Sequence, residues 1–222
     1  MNAQENTFDI SVNNLMVVLR EIVGANQHDE RLLPIGKVKI KLARSTDIDA
    51  DMAWFQYLGD MSVRFVFDGP RDMRDATAED LRRLKLSPDE ALRVAVDNIE
   101  REYGKPTSEP WVGGVMIVHG RSPDLDSSYF LDRAFWDDAL KEHPQGIVAS
   151  VPKRGGLLFA PLSDAKAVDG LQKGVAYLHS SSGELRISSA LYLFKDHRWT
   201  VFQAPSANLD GTITKRGQEG AP

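Results

Sequence analysis

Cysteine is absent from all 222 residues. That excludes disulfides, thiolate metal ligands and a cysteine nucleophile, and it suits a reducing compartment. Long apolar runs are missing too, and no stretch approaches the ~20 residues that span a bilayer. Nor is there a basic excess: the formal net charge is −5, which argues against nucleic acid as a partner. The opening residues, MNAQENTFDIS, carry neither the basic nor the apolar region of a secretory signal. The expectation is a cytoplasmic protein that binds neither membrane nor nucleic acid.

What is present is an ordinary globular balance, 42% hydrophobic and 27% charged, in a chain long enough for one large domain or two small ones. From Asp9 to Val23 the apolar residues Val12, Leu15, Met16, Leu19, Ile22 and Val23 recur at helical spacing, and the spacing predicts an amphipathic helix ended by Gly24. KVKIKLAR alternates as a half-buried strand with lysines outward. AWFQYL and MSVRFVFD, around Gly59-Asp60, read as a hairpin. Thr77 with Asp80 opens a short helix ending near Leu86. Ser87 with Glu90, and Pro88 at the first helical position, opens a longer one that Gly104 ends. Lys105 to Pro110, with two prolines, marks the boundary between halves.

The second half is expected to hold a strand at 111–118, a helix from Ser128 to His143 and short strands at 147–151 and 157–160 around PKRGG. A helix from about Ser163 and a hairpin turning at Lys195-Asp196-His197 complete it. Strands thus come in hairpins rather than alternating one-for-one with helices. The reading is α+β, with largely antiparallel sheets packed by amphipathic helices. An α-β-β-β-α-α half over 9–104 precedes a half over 111–204 whose element order, β-α-β-β-α-β-β, is ferredoxin-like. Residues 1–8 and the polar, Gly-containing tail 205–222 are expected to be disordered.

Polar residues with chemical potential crowd the loop after the 111–118 strand: His119, Arg121, Asp124 and Asp126, with Asp132 close behind. An imidazole and carboxylates at a strand-to-helix loop can form a metal site or an acid/base pair. Asp and Ser at a helix start also serve as caps, and the spacing matches no metal motif, so no metal and no cofactor is implied. Arg154, in the Lys153–Gly156 turn, is a candidate anion contact. Gly113-Gly114 reads as a bulge inside a strand. His179 precedes three serines, but GxSxG occurs nowhere, and a histidine at a helix end needs no catalysis.

The run VRFVFDGPRDMRDATAEDLRRLKLSPDEALRVAVDNI resembles the YtpQ-like bacterial proteins, a family of unknown function. The matching residues are Phe67, Asp68, Pro70, Met73, Thr77, Asp80, Leu81, Ala95 and Asn98. DSSYFLDRAFWDDAL and GIVASVPKRGGLLFAP are similar to the family's later segments, with Gly155 standing where the family pattern has Asp. The resemblance covers roughly residues 60–203 and implies a bacterial α+β protein, with no activity and no catalytic residue attached.

Three functions therefore stand as expectations. The first is a non-enzymatic module, chaperone-like or immunity-like, that binds another protein. The second is a hydrolase or metal-dependent enzyme using the 119–132 loop, and the third is a binder of a small anion through Arg121 and Arg154.

Overall fold

A computed structural model describes residues 8–40, 48–70 and 72–206. Residues 1–7 and 207–222, most of the two segments expected to be disordered, lie outside them, as do Lys41 to Arg44 of the lysine-rich strand. The stretch expected to be a helix from Asp9 to Val23 is a 3-10 turn, Val12–Asn14, followed by a strand, β1 (Leu15–Glu21). Leu15, Met16, Val17, Val18 and Leu19 are all buried, which one helix face cannot achieve for five successive residues. A short apolar run of this kind fits helix and strand periods alike, and burial on both faces decides for the strand.

β2 (Leu33–Pro34), β3 (Lys37–Ile40), β4 (Ile48–Asp51), β5 (Trp54–Gln56), β6 (Met61–Asp68) and β7 (Met73–Asp75) follow. β1, β6, β5 and β2 form one antiparallel sheet in that order, with β7 also on β6, while β3 and β4 pair by themselves. Two helices come next, α1 (Ala78–Arg83) and α2 (Pro88–Tyr103). Each begins with a complete capping box, Thr77 with Asp80 and Ser87 with Glu90, and α2 stops at Gly104 (φ 82°) as its sequence dictates. Asn98, buried in α2, donates to the Val12 and Leu15 carbonyls at 2.7 and 2.8 Å and so locks the helix to the start of β1.

The 105–110 segment expected as a boundary carries a strand, β8 (Thr107–Pro110), paired with β9 (Met116–His119). Gly113 and Gly114, at φ 67° and 87°, form the turn between them rather than a bulge. The helix expected from Ser128 is split. Asp126–Leu131 is a 3-10 segment, and α3 (Arg133–Glu142) starts only after Asp132, whose side chain accepts from the Phe135 N–H. β10 (Ile147–Lys153), β11 (Gly156–Pro161), α4 (Ala165–Ser180), β12 (Leu191–Lys195) and β13 (Arg198–Gln203) complete the chain.

The second sheet runs β13-β12-β10-β11-β9-β8 with every ladder antiparallel. The element order β-α-β-β-α-β-β does recur from β9 onward, but without the parallel pair that a βαβ crossover creates. α4 covers one face through Val148, Leu158, Ala160, Leu171 and Val175. The other face meets α3 and residues 126–131 in an aromatic core, in which Phe130 stacks on Trp199 at 4.3 Å. All six residues of Asp126–Leu131 are buried. They also touch β1, where the Ser128 hydroxyl donates to the Val17 carbonyl at 2.8 Å. One continuous apolar core therefore runs from Phe65 and Phe67 in the first sheet to Trp136 and Tyr192 in the second.

Candidate functional site

Among the described residues the 119–132 loop gathers no three metal-ligating side chains. His119 is half-buried, with Nε2 3.9 Å from Glu109 across the β8–β9 ladder. Arg121 lies exposed against Gly104 and donates to the Glu102 carbonyl at 3.2 Å. Asp124 is 73% exposed and sits 3.8 Å from Arg154. Asp126 turns inward and accepts from the Gly120 N–H at 2.8 Å, with burial raising its pKa. Among the described residues no three His, Cys, Asp or Glu side chains are grouped to hold a metal ion. His179 is buried with Nε2 3.0 Å from Glu21, while Ser180 and Ser181 bond helix carbonyls, so no Ser–His pair forms.

Asp132 is different. It separates from the other loop residues and lines a pocket of about 610 Å³ between α2, the Glu30–Leu32 loop and the start of α3. That volume is typical of small-molecule sites. Asp132 is only 2% exposed. One carboxylate oxygen, Oδ1, caps α3 through the Phe135 N–H at 3.1 Å, and Oδ2 is buried with no donor. Glu100, on the pocket side of α2, supplies what is missing. Its pKa is raised to about 7, by burial first, then by its hydrogen bond to Asp132 and the repulsion of the Asp132 charge. Protonated, the Glu100 carboxyl can donate to the Asp132 carboxylate.

Beside the pair, Glu30 is fully engaged. It accepts from the Tyr57 hydroxyl at 2.5 Å, from the Trp199 N–H at 2.8 Å and from Arg133. Burial and the Glu30 charge push the Tyr57 hydroxyl well above its ordinary pKa. Leu32, Leu92, Val96 and Leu131 form the apolar part of the lining. No protein-family model, curated protein or solved structure matches this chain. The site is therefore read from its own chemistry.

A second cleft, of about 450 Å³, lies where β1 meets the β10–β11 turn and is lined by Arg20, Arg154, Ser122 and Tyr103. Arg154 lines this cleft and Arg121 does not. Arg20 is mostly buried, and its pKa is lowered to about 10 by burial, then by the charges of Arg154 and Arg64. Arg64 stacks 3.8 Å above the Trp54 ring. Asp68 on the cleft wall is taken by the Tyr103 hydroxyl. Gly155, at φ 68° beside this cleft, leaves no room for a side chain: a Cβ there would stand 2.7 Å from the Pro123 carbonyl oxygen. Of the residues that carry that resemblance, Asp80 and Asn98 act as a helix cap and a strand clamp.

Reading the sequence does not find Glu100, Glu30, Tyr57 or Arg20. Glu100 falls in the polar part of an amphipathic helix, where a glutamate is unremarked, and Arg20 falls in the stretch whose helical reading the strand overturns. Only their three-dimensional neighbours make them distinctive.

Proposed function

We propose that the chain binds a small molecule in the pocket between α2 and α3, with the Glu100–Asp132 pair as its polar anchor. The observation that carries this is a carboxyl pair, Asp132 buried with an unpartnered oxygen and Glu100 half-buried, lining a cavity that also has an apolar wall. Binding without nucleophilic turnover is favoured by the lining, which contains no Ser, Thr, His or Lys, and by the Tyr57 hydroxyl being committed to Glu30. Crystals soaked with a fragment mixture test the reading. Fragments should collect against Leu92 and Glu100, and Leu92→Trp, which fills the cavity, should exclude them. An empty pocket under the same soak would overturn it.

A protein partner is the second reading, supported by the β8–β9 hairpin. Trp111 and Val112 at its tip are 47% and 68% exposed, and every residue of the edge strand β8 is exposed. An open edge beside exposed apolar side chains suits strand addition or docking. A partner retained by the wild type in a native pull-down, and lost from a Trp111→Ser, Val112→Ser variant, would support this reading. Equal retention by both would remove it. Kinship with the YtpQ-like family is likewise a proposal, and it adds no activity to either reading.

A further inference from the structure

We infer that the occupant of the α2–α3 pocket carries a primary alkylammonium group, seated on Glu100 and Asp132, with its alkyl chain along Leu92, Val96 and Leu131. This rests on the pocket being a ligand site and names the class of ligand.

The charges around the pair point to a missing cation. Asp132 is 98% enclosed by the protein in effect, at 2% exposure, and its Oδ2 has no N–H or hydroxyl donor. Among the described residues no lysine or arginine forms a salt bridge with Glu100 or Asp132. Lys105 acts on Glu100 through its charge without a salt bridge, while on the lining Arg31 lies 3.8 Å from Asp29 and Arg133 is held by Glu30 and by the His197 carbonyl at 3.3 Å. On α2, Arg93 points its Nε to the Asp89 carbonyl at 3.4 Å, and Asp97 adds further negative charge to the lining. A buried carboxylate lacking a cationic partner is costly, and the Glu100 carboxyl beside it has a single proton to offer. An ammonium can replace that proton and offer donors to both carboxyl groups.

Other cations fit less well. A divalent ion needs about six oxygen ligands, and the pair is not joined by a third metal-ligating side chain. A quaternary ammonium has no N–H and would leave Oδ2 without a donor. The apolar wall favours a chain of several carbons over free ammonium.

The test is isothermal titration of the full chain at neutral pH with four probes of one chain length: hexylamine, hexanol, hexanoate and trimethylhexylammonium. Hexylamine should bind at least about tenfold more tightly than hexanol, the difference expected of a charge-assisted hydrogen bond. Its binding enthalpy should vary with the buffer, because the Glu100 proton is released. Glu100→Gln should erase the preference, and Asp132→Asn, which keeps the α3 cap, should reduce it. Hexanol binding as well as hexylamine, or hexanoate or the quaternary probe binding better, would overturn the ammonium while leaving the pocket reading intact. No binding by any probe, in a chain whose circular dichroism is native, would sink both.

Discussion

In the two clefts burial acts on groups of opposite charge. In the α2–α3 pocket burial acts on carboxyl groups, and in the β1 cleft it acts on guanidinium groups. A carboxyl can discharge itself: Glu100 takes up a proton as its pKa rises to about 7. Arg20, lowered only to about 10, stays charged through the physiological range. The same desolvation therefore yields a group that titrates in one place and, in the other, a standing positive charge that Asp75 and Asp124 partly balance. Which ligand each cleft favours follows from that asymmetry.

Four measurements bear on this asymmetry. The largest effect is expected at Glu30, whose carboxylate serves three donors. Glu30→Ala strands the buried Tyr57 hydroxyl and the Trp199 N–H and should cost about 3 kcal/mol in urea denaturation. If it costs nothing, the pocket wall is not the rigid frame that holds Glu100 in place.

Next comes the pH dependence of stability. The folded pKa of Glu100 lies above the unfolded value, so the folded state binds the extra proton. Its contribution is fully present below about pH 4.5 and is lost as pH rises through about 7. Because Glu100 is substantially solvent-screened, the change should be about 1 kcal/mol, and Glu100→Gln should flatten it. An unchanged slope in the variant would place the titration elsewhere.

At Arg20 the sign is reversed. The charged form is the one burial disfavours, so Arg20→Met should stabilise the ion-free protein by about 0.5 kcal/mol at neutral pH, with no slope between pH 5 and 8. Added phosphate should stabilise the wild type more than this variant in thermal unfolding. Equal response of the two would show that the cleft is satisfied by its own aspartates. The smallest effect is expected at Trp111→Ser, within about 0.5 kcal/mol and without influence on either cleft, because this side chain lies exposed on a hairpin tip.

Much of the frame was legible because it rests on local rules. Capping boxes at Ser87 and Thr77, the Gly104 stop and the Asp196–His197 turn, both residues at positive φ, each need only a few neighbouring residues. The α+β class and the antiparallel pairing followed from strands arriving in hairpins. What was not legible depends on burial from two sides. β1 was read as a helix because a five-residue apolar run does not declare its period. The break at Asp132 was hidden because Asp126–Leu131 is 3-10 and enclosed, which a helical wheel cannot express. Of the suspected loop, His119, Arg121, Asp124 and Asp126 serve turns, ladders and the surface. Asp132 alone reaches the pocket, and its partner Glu100 lies 32 residues earlier, where no motif links them.

Residues 126–131, wedged between the two sheets, have a consequence for the life of the molecule as a chain. A cut near residue 105 would leave each piece with a bare apolar surface that the other had covered, since residues 126–131 belong to the second piece but pack on β1, where the Ser128 hydroxyl bonds the Val17 carbonyl. The halves should melt together in a single transition, and neither should be recoverable as a soluble fragment. During synthesis the first sheet would have to wait, partly uncovered, until this short segment emerged to seal it.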